Sequence, residues 1–357
     1  MESRYLRQIV LPEVGEAGQK ALSQAKVLVV GAGGLGGPCL QYLTAAGVGT
    51  IGIVDDDVVD ITNLQRQVLF STNDLGKAKA PIAGTTLGAL NPHVKFQIFQ
   101  ERLTSENALE ICSSFDIVVD GTDNFNTKFL LNDVSLILRK PLVYGSISRF
   151  EGQVGIFDGQ NGPCYRCLHP EPPRSQIGNC AEQGVFGAVP GVVGSVQALE
   201  VLKWILFQKN GQEDVKPLIG KIWCADFKTM HFHTLSLSCR SECLCSKSER
   251  TLPASKSAEV CGVSLQKTWQ DYFQSSPRPL LLDVRSAEEY EEYHLPEALW
   301  GAQDPGRLSK NREIYVYCSL GVRSLQACQD LRAHGYKAFS IKGGLASFIE
   351  NEKLTII

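Results

Sequence analysis

The chain has 357 residues, and at about 150 residues per domain this length predicts two or three domains rather than one core. With 43% hydrophobic and 20% charged residues, the composition argues against disorder over most of the chain. The formal net charge of −3 disfavours nucleic acid as a partner, because non-specific binding to phosphate backbones needs an excess of basic residues.

The sequence predicts neither an export signal nor a membrane span. Charged residues lie within the first seven positions, where a secretory signal would need a long apolar run. The longest apolar stretch, 189–207, is interrupted by proline, glutamine, glutamate and lysine and falls short of about 18 uninterrupted apolar residues. We therefore expect a cytoplasmic protein. Its twelve cysteines are expected to serve metal binding and thiol chemistry, because the cytosol keeps thiols reduced.

Apolar runs alternate with helical patterns from about residue 26 to residue 237. This alternation predicts an α/β domain with a Rossmann-like, doubly wound sheet of buried parallel strands connected by helices. The strands are predicted at 27–30, 51–54, 96–99, 116–120 and 141–146.

A second, smaller α/β series follows a stretch at 238–258 that has no apolar periodicity and indicates a linker. Its strands are predicted at 279–285, 313–318 and 338–341, with a helix at 324–334. About 100 residues suffice for an independent core. We predict a first domain over 1–245, a linker over 246–260 and a second domain over 261–357.

A glycine-rich turn joins the first strand to a helix predicted at 39–46. Such glycines permit a tight turn, close approach of backbone amides to phosphate, and close packing of helix on strand. Asp55, at the end of the next strand, is placed to accept hydrogen bonds from ribose hydroxyls. Glycines that serve packing alone, or a dinucleotide site, would give the same pattern. The glycines are Gly31, Gly33, Gly34 and Gly36.

Two cations and a carboxylate are expected at the same edge of the sheet. Arg66 lies in the segment NLQRQ (63–67), Lys79 follows it, and Asp123 comes just after a predicted strand. A hydride-transfer site does not need these groups, but adenylation does. In adenylation a carboxylate attacks the α-phosphate of ATP and pyrophosphate leaves, so the growing charge must be met by cations and a carboxylate-held Mg²⁺.

Together with the N-terminal segment 4–8, this set of residues resembles the MoeB/ThiF adenylyltransferases, relatives of the ubiquitin-activating enzyme, over about residues 1–250. The combined pattern is far more specific than any one of its parts. The resemblance implies ribose binding by Asp55, nucleotide binding by Asn63, triphosphate binding by Arg66 and Lys79, and Mg²⁺ binding by Asp123.

The resemblance also implies a homodimer and a protein substrate. Arg7 would reach the ATP of the neighbouring subunit, although a solvated N-terminal charge is the alternative. The substrate would be a small ubiquitin-like sulfur-carrier protein that ends in Gly-Gly. Segments 145–152 and 186–194 are candidates to line the groove for its tail, but their glycines would equally serve turns and close packing.

Cysteines form a predicted zinc site. Cys164 and Cys167 have the spacing of one half of a tetrahedral site. Members of the family close this site with a second Cys-x-x-Cys, whereas here the later cysteines follow the pattern Cys-x-x-x-Cys-x-Cys. Cys243 and Cys245 are the favoured second pair, and Cys239 with Cys243 is the alternative. Structural Zn²⁺ is favoured because four thiolates suit it, with free thiols as the remaining possibility.

Cys180 lies in a glycine-flanked stretch, 176–184, that has no strand or helix pattern. By resemblance this is the crossover loop above the adenylate, and its cysteine matches a thiol that in some members joins the carrier covalently. A secondary nucleophile is therefore implied. An incidental loop cysteine is an equal alternative, because a cysteine becomes reactive only where its surroundings lower the pKa of the thiol, and the sequence does not show those surroundings.

Cys318 is the strongest single catalytic candidate. A predicted strand delivers it into the loop CSLGVR (318–323), and a helix follows. This strand–loop–helix cradle points backbone amides at one sulfur and stabilises a thiolate or persulfide, and Arg323 adds a cation. A phosphatase loop has the same architecture, so the loop alone does not choose between sulfur and phosphate chemistry.

The surrounding sequence favours sulfur chemistry. The segments LLDVR (281–285), EEY (288–290), HLPEA (294–298) and GGL (343–345) resemble a single rhodanese domain over about residues 260–357. Asp283 and Arg285 are expected to form a structural salt bridge, and His294 to order a turn. Glu297 stands where the family commonly has glycine, and we expect little effect.

The two resemblances imply one reaction cycle. The first domain would convert the carrier's carboxylate to an acyl-adenylate, and a Cys318 persulfide would supply sulfur to give a thiocarboxylate for molybdopterin or thiamine biosynthesis. A cysteine desulfurase or thiosulfate would load the persulfide. The alternatives are a carrier-binding scaffold with degraded catalysis and, with less support, a dinucleotide-dependent oxidoreductase.

Overall fold

The chain folds into two compact units, Met1–Ser255 and Lys256–Ile357. The structure, a computed structural model, describes residues 3–160, 162–170, 184–210, 215–247, 266–301, 308–319 and 321–348. The predicted linker spans the border between the units, and most of it lies outside the described residues. The predicted domain limits therefore stay predictions.

The first unit contains one eight-stranded sheet with the order β3-β2-β1-β4-β5-β6-β7-β8. The strands are β1 (Lys26–Val30), β2 (Thr50–Val54), β3 (Lys95–Phe99), β4 (Ile117–Asp120), β5 (Leu142–Ser148), β6 (Glu151–Phe157), β7 (Lys221–Asp226) and β8 (His231–Ser236). Strands β1 to β5 are parallel and correspond to the five predicted runs. Strands β6 to β8 extend the sheet in antiparallel fashion and were not predicted.

Helices cover both faces of this sheet, which confirms the doubly wound α/β fold. They are α1 (Leu6–Ile9), α2 (Gly15–Gln24), α3 (Gly36–Ala46), α4 (Lys79–Leu90), α5 (Ala108–Ser113), α6 (Phe125–Leu138), α7 (Tyr165–Leu168) and α8 (Ala188–Asn210). Strand β1 is a continuous apolar run because Val27 and Val29 belong to one hydrophobic cluster, and Leu28 and Val30 to the other. The helix predicted at 39–46 begins three residues earlier, at Gly36.

Helix α8 contains the longest apolar stretch of the chain. The helix is long and apolar enough to cross a membrane by length and composition alone. The sequence prediction, in contrast, excluded a membrane span because polar residues and a proline interrupt this stretch. The helix packs against α2, α3, β5 and β6, and 56% of its most apolar 18-residue segment is buried. Gln197 and Glu200 are buried on it and bind the Asp120 carbonyl and the Leu218 amide. These contacts are those of a core helix.

The second unit is a five-stranded parallel sheet with the order β11-β10-β12-β13-β9. Its strands are β9 (Gln266–Lys267), β10 (Leu280–Asp283), β11 (Ala298–Trp300), β12 (Glu313–Tyr317) and β13 (Lys337–Ile341), and its helices are α9 (Trp269–Gln274), α10 (Ala287–Glu292) and α11 (Val322–Ala333). Three of these strands and α11 correspond to the predicted runs. Aromatic side chains fill much of the core, with Tyr315 and Tyr317 of β12 almost fully buried.

Close packing at Gly36 gives a prediction for stability. A Cβ atom at Gly36 would lie 1.7 Å from the Gly31 carbonyl oxygen, so Gly36→Ala should lower the free energy of unfolding by at least about 2 kcal/mol. Gly88, inside α4, has no atom within 4 Å of such a Cβ. Gly88→Ala is therefore the matched control and should stabilise the fold by up to about 1 kcal/mol. Urea unfolding of the full chain measures both, and equal stability of the two variants would contradict the packing argument.

Candidate functional site

A cavity of about 600 Å³ lies at the carboxyl ends of β1, β2 and β4 in the first unit. This is the edge at which ligands bind to open α/β sheets. Most of the residues predicted to bind nucleotide line the cavity: Gly31, Gly33, Gly34, Asp55, Asn63, Arg66, Lys79 and Asp123. The structure thus brings together residues that are up to 92 positions apart in the chain, from Gly31 to Asp123.

The glycine turn forms the back of the cavity. Gly31 has a φ of +90°, which side chains rarely adopt, and a Cβ atom there would lie 2.8 Å from the Gly121 carbonyl oxygen. Gly36 does not line the cavity, because it packs behind the turn against Gly31. Gly36 therefore serves packing, whereas the glycines that line the cavity leave backbone open to a ligand.

Asp55 is fixed by backbone amides at the end of β2. Its Oδ2 accepts a hydrogen bond from the Ala32 amide at 2.7 Å, and its Oδ1 accepts one from the Asp57 amide at 2.9 Å. Burial raises the pKa of Asp55, and these two hydrogen bonds oppose the rise. Each carboxylate oxygen keeps a lone pair for another donor, as ribose binding requires.

Lys79 is the first residue of α4, and its side chain is only 5% exposed. Its Nζ donates to Oδ2 of Asp57 at 2.8 Å, and that carboxylate is 73% exposed. Asp57 was not predicted as a site residue, although it belongs to the acidic run 55–57 after β2. Lys79 thus lines the cavity, and solvent screens the attraction between its ammonium group and the exposed Asp57 carboxylate.

Arg66 keeps most of its hydrogen-bonding capacity. Its Nη1 donates to the Thr62 carbonyl at 2.9 Å, and no acidic residue in the described part of the chain forms a salt bridge with it. A guanidinium has five N–H donors, so Arg66 can still bind an anion in the cavity. Arg102 and Arg149 also line the cavity and were not singled out from the sequence.

Asp123 lies exposed at the turn between β4 and α6. The next residue, Asn124, caps α6 by accepting a hydrogen bond from the Thr127 amide at 2.9 Å. This cap fixes the turn, and the Asp123 carboxylate faces a cavity large enough for a nucleotide. A carboxylate beside a phosphate site is the usual protein ligand of Mg²⁺.

The predicted roles of Arg7 and Cys180 are not tested by this cavity. Arg7 lies exposed on α1 and does not line it, so a role in a neighbouring subunit stays a prediction. Cys180 lies outside the described residues, and its predicted role as a nucleophile also stays a prediction. The predicted tail-groove segment 145–152 contributes Ser146, Ile147, Ser148 and Arg149 to the cavity wall.

Four cysteines form a compact cluster next to α6. The Sγ atoms of Cys164, Cys167, Cys243 and Cys245 all lie within 4.8 Å of one another. Thiolates bound to one tetrahedral zinc at about 2.3 Å would lie about 3.8 Å apart, so the cluster fits this ion. Cys239 is exposed and outside the cluster. These four are the cysteines favoured from the sequence, and their occupation by Zn²⁺ stays a prediction.

Within the cluster, Cys164 needs a bound cation in order to ionise. Burial, together with the neighbouring Cys243 and Cys167 thiols, raises the pKa of Cys164 to about 12. At neutral pH this thiol keeps its proton unless a metal displaces it. The backbone amide of Arg240 points at the Cys167 sulfur at 3.4 Å, which supports a thiolate once it forms.

In the second unit, Cys318 follows β12 and is almost fully buried. The Gly321 amide lies 3.1 Å from its Sγ, and α11 begins at the next residue, Val322. Gly321 has a φ of +90°, and a Cβ there would lie 2.9 Å from the Gly343 amide nitrogen. A backbone amide and a helix N-terminus therefore face the sulfur, as the strand–loop–helix pattern predicts.

Arg323 does not supply a free cation to this loop. Its Nη1 and Nη2 donate to the Glu289 carboxylate at 2.7 and 2.8 Å, and Ser319 donates to the same carboxylate at 2.7 Å. The contact with Arg323 lowers the pKa of Glu289, so the carboxylate stays ionised and neutralises the arginine. Arg323 therefore adds its cation to this loop as one member of an ion pair, and its partner, Glu289 on α10, was not predicted.

The other second-unit residues have structural contacts. Arg285 forms the expected salt bridge with the buried Asp283 carboxylate, because its Nε donates to Oδ1 at 3.0 Å and its Nη2 donates to Oδ2 at 2.7 Å. His294 stacks on Tyr290 at a ring distance of 4.0 Å and contacts its carbonyl. Glu297 lies in the turn before β11 and accepts from Arg278 at 3.3 Å, mostly in solvent.

Comparison with known proteins identifies both units. Residues 5–246 match the ThiF family, and residues 267–351 match the rhodanese-like domain. The chain belongs to the ThiF family. Its second domain is rhodanese-like, and together these matches confirm the family and the fold class predicted from the sequence.

Relatives resemble the chain over almost its whole length. It is 38% identical over 99% of its length to a probable molybdopterin-synthase adenylyltransferase of Porphyra purpurea, of which it covers 95%. It is 36% identical over 97% of its length to the probable adenylyltransferase/sulfurtransferase MoeZ of Mycobacterium tuberculosis, of which it covers 92%. A sulfur carrier protein adenylyltransferase of Thermus thermophilus is 50% identical over 67% of the chain, which covers 89% of it.

The chain also resembles solved structures in fold. A crystal structure of E. coli MccB with ATP has a TM-score of 0.60 and 21% identity, covering 69% of this chain and 74% of that one. The ThiF and rhodanese-like matches and the named relatives confirm the two predicted enzyme classes, adenylyltransferase and sulfurtransferase, and they favour adenylation over hydride transfer. Use of ATP follows from the family.

The cysteine cluster gives a prediction for metal binding. We expect about one zinc ion per purified chain, and Cys167→Ser should lower zinc affinity by at least about tenfold because it removes one of four thiolates. Cys239→Ser, outside the cluster, is the control and should bind zinc as the parent does. Zinc affinity should also fall as the pH is lowered, because the thiols must lose protons to bind. Competition with a chromophoric chelator measures this, and substoichiometric zinc in the reduced parent would contradict the site.

Proposed function

We propose that this chain activates the C-terminal Gly-Gly carboxylate of a small ubiquitin-like sulfur-carrier protein with ATP and converts it to a thiocarboxylate with sulfur from Cys318. The pathway would be molybdopterin or thiamine biosynthesis. The observation that carries the proposal is the cavity at the glycine turn, which is lined by the side chains of Arg66, Lys79, Asp123 and Asp55. Relatives over nearly the whole chain carry adenylyltransferase and sulfurtransferase names.

Adenylation requires the cavity to meet charge that develops on phosphate. A carboxylate oxygen of the carrier forms a bond to the α-phosphorus of ATP, the bond from that phosphorus to the bridging oxygen breaks, and pyrophosphate leaves with its negative charge. Arg66 and Lys79 bind these phosphates, and Asp123 holds Mg²⁺, which neutralises part of the charge when bound. Arg7 of a second subunit completes the site in the proposed homodimer.

Sulfur transfer uses the product of the first reaction. The terminal sulfur of a Cys318 persulfide attacks the acyl carbon, AMP leaves, and an acyl disulfide joins the carrier to Cys318. A second thiol then attacks the Cys318 sulfur, the bond between the two sulfurs of the acyl disulfide breaks, and the carrier leaves as a thiocarboxylate. The second thiol and Cys318 are left joined in a disulfide, which a cellular dithiol reduces before the next cycle. Cys180 is our candidate for the second thiol. The Gly321 amide, at 3.1 Å from the Cys318 sulfur, stabilises the thiolate and persulfide charge.

The reaction cycle also needs a sulfur donor, a stable fold and a high local concentration of persulfide. A cysteine desulfurase or thiosulfate supplies the persulfide sulfur in the cytoplasm. Zn²⁺ in the cysteine cluster serves structure, because four protein thiolates leave no open position for substrate. Fusion of the two domains raises the effective concentration of sulfur donor near the acyl-adenylate.

The decisive experiment is pyrophosphate exchange. The parent chain, purified at full length and supplied with a Gly-Gly-ended carrier, Mg²⁺ and ATP, should incorporate labelled pyrophosphate into ATP. A carrier that lacks the last glycine is the matched control and should support none. Exchange that does not depend on the carrier, or that never occurs, would contradict the proposal.

The division of labour between domains gives a separate prediction. Cys318→Ser should keep carrier-dependent exchange within about twofold of the parent, since it leaves the cavity intact. It should reduce thiocarboxylate formation at least about 100-fold, because the persulfide is lost. Cys328→Ala, a buried α11 cysteine whose pKa burial raises to about 12, is the control. Mass spectrometry of the carrier measures the product, and loss of exchange in Cys318→Ser would contradict the division.

A further inference from the structure

A buried lysine connects two walls of the nucleotide cavity. Lys128 lies in the first turns of α6, lines the cavity, and has a side chain only 6% exposed. Its Nζ donates to Oδ2 of Asp120 at 2.8 Å and to the Gly145 carbonyl at 2.7 Å. One ammonium group therefore joins α6 to the end of β4 and to β5.

The position of this pair is costly for the fold. The Asp120 side chain is 1% exposed, and removal of two charges from water often costs as much as their attraction returns. A cation is also unfavourable near a helix N-terminus, where Lys128 lies four residues after the Asn124 cap. Stability alone is thus a weak reason for a lysine here.

The pair leads directly to the turn that carries Asp123. Oδ1 of Asp120 accepts hydrogen bonds from the Thr122 amide at 3.0 Å and from the Thr122 hydroxyl at 2.7 Å. Gln197 on α8 donates to the Asp120 carbonyl at 2.8 Å. Asp120 is consequently held from three sides, and Thr122, which also lines the cavity, is held with it.

The second acceptor of Lys128 leads to another part of the cavity wall. Gly145 precedes the β5 residues Ser146, Ile147 and Ser148, which line the cavity. This wall belongs to the segment expected to receive the carrier tail. Lys128 thus fixes the distance between that wall and the Asp123 turn.

We infer that Lys128 is a positioning residue for adenylation. It acts through Asp120 and Gly145 and holds the Mg²⁺-binding turn and the β5 wall in the geometry at which carboxylate and α-phosphate meet. Reactive alignment of this kind changes the rate of the chemical step more than it changes nucleotide binding. The inference rests on the proposed function, because the two walls serve two substrates only if the carrier is adenylated here.

The test removes the link without leaving a buried charge. Lys128→Met alone strands the Asp120 carboxylate, so the informative variant is Lys128→Met with Asp120→Asn, which keeps an oxygen for Thr122 and removes both charges. Lys140→Met is the matched control, because Lys140 donates to the Cys112, Ser113 and Phe115 carbonyls and does not line the cavity. The measurements are urea unfolding, ATP affinity with and without Mg²⁺ by calorimetry, and carrier-dependent exchange.

We expect the double variant to bind Mg²⁺-free ATP within about twofold of the parent but to lose at least about fivefold of the gain in affinity that Mg²⁺ gives, with exchange at least about tenfold slower. Lys140→Met should be less stable than the parent but should keep both the Mg²⁺-dependent gain in ATP affinity and the exchange rate. A double variant that keeps the Mg²⁺ gain and the exchange rate would overturn the inference. A parent that shows no exchange would contradict the proposed function instead, and the Mg²⁺ gain of the double variant would still decide the role of Lys128.

Discussion

The nucleotide cavity depends on backbone-to-backbone contact among three glycines. Gly31 and Gly36 approach each other at the end of β1, and a Cβ atom at Gly121, after β4, would lie 3.0 Å from the Gly36 Cα. This contact lets the N-terminus of α3 lie directly over two neighbouring strand ends. The amides at this helix start, the Asp55 carboxylate and the Asp123 turn then converge on one volume, which no local sequence feature could arrange by itself.

Helix α6 links this cavity to the cysteine cluster. Between the cluster cysteines 164 and 167, the Tyr165 amide donates to Asn132 at 2.8 Å, and Arg166 donates twice to Asp133 at 2.7 Å. Both acceptors lie on α6, about one turn after Lys128 on the same helix. A metal bound by the cysteines would therefore stabilise the same helix that positions the nucleotide turn, so free energy from metal binding supports the fold around the site.

The sequence predicted those parts of the fold that have continuous apolar runs. Strands β1, β2 and β4 are buried on both faces, so they could be located within a few residues. Strand β8 was missed because every residue in it is exposed, and β6 because glycines interrupt its pattern. Most cavity residues could be singled out from the glycine turn, the strand ends and the charged residues, and the family resemblance supplied their roles. Asp57, Lys128 and Glu289 were missed because each acts through a partner that only the fold brings near.

The two reactive sites differ in the positive charge that they offer to a ligand. In the first domain Arg66 forms no salt bridge with any acidic residue in the described ranges, so it can meet the charge of a triphosphate. In the second domain the Arg323 guanidinium is paired with Glu289, and the Gly321 amide faces the Cys318 sulfur. An amide dipole stabilises one sulfur anion without the attraction for polyphosphate that a free arginine gives. The neutralised arginine thus suits the loop to sulfur chemistry and leaves nucleotide binding to the first domain.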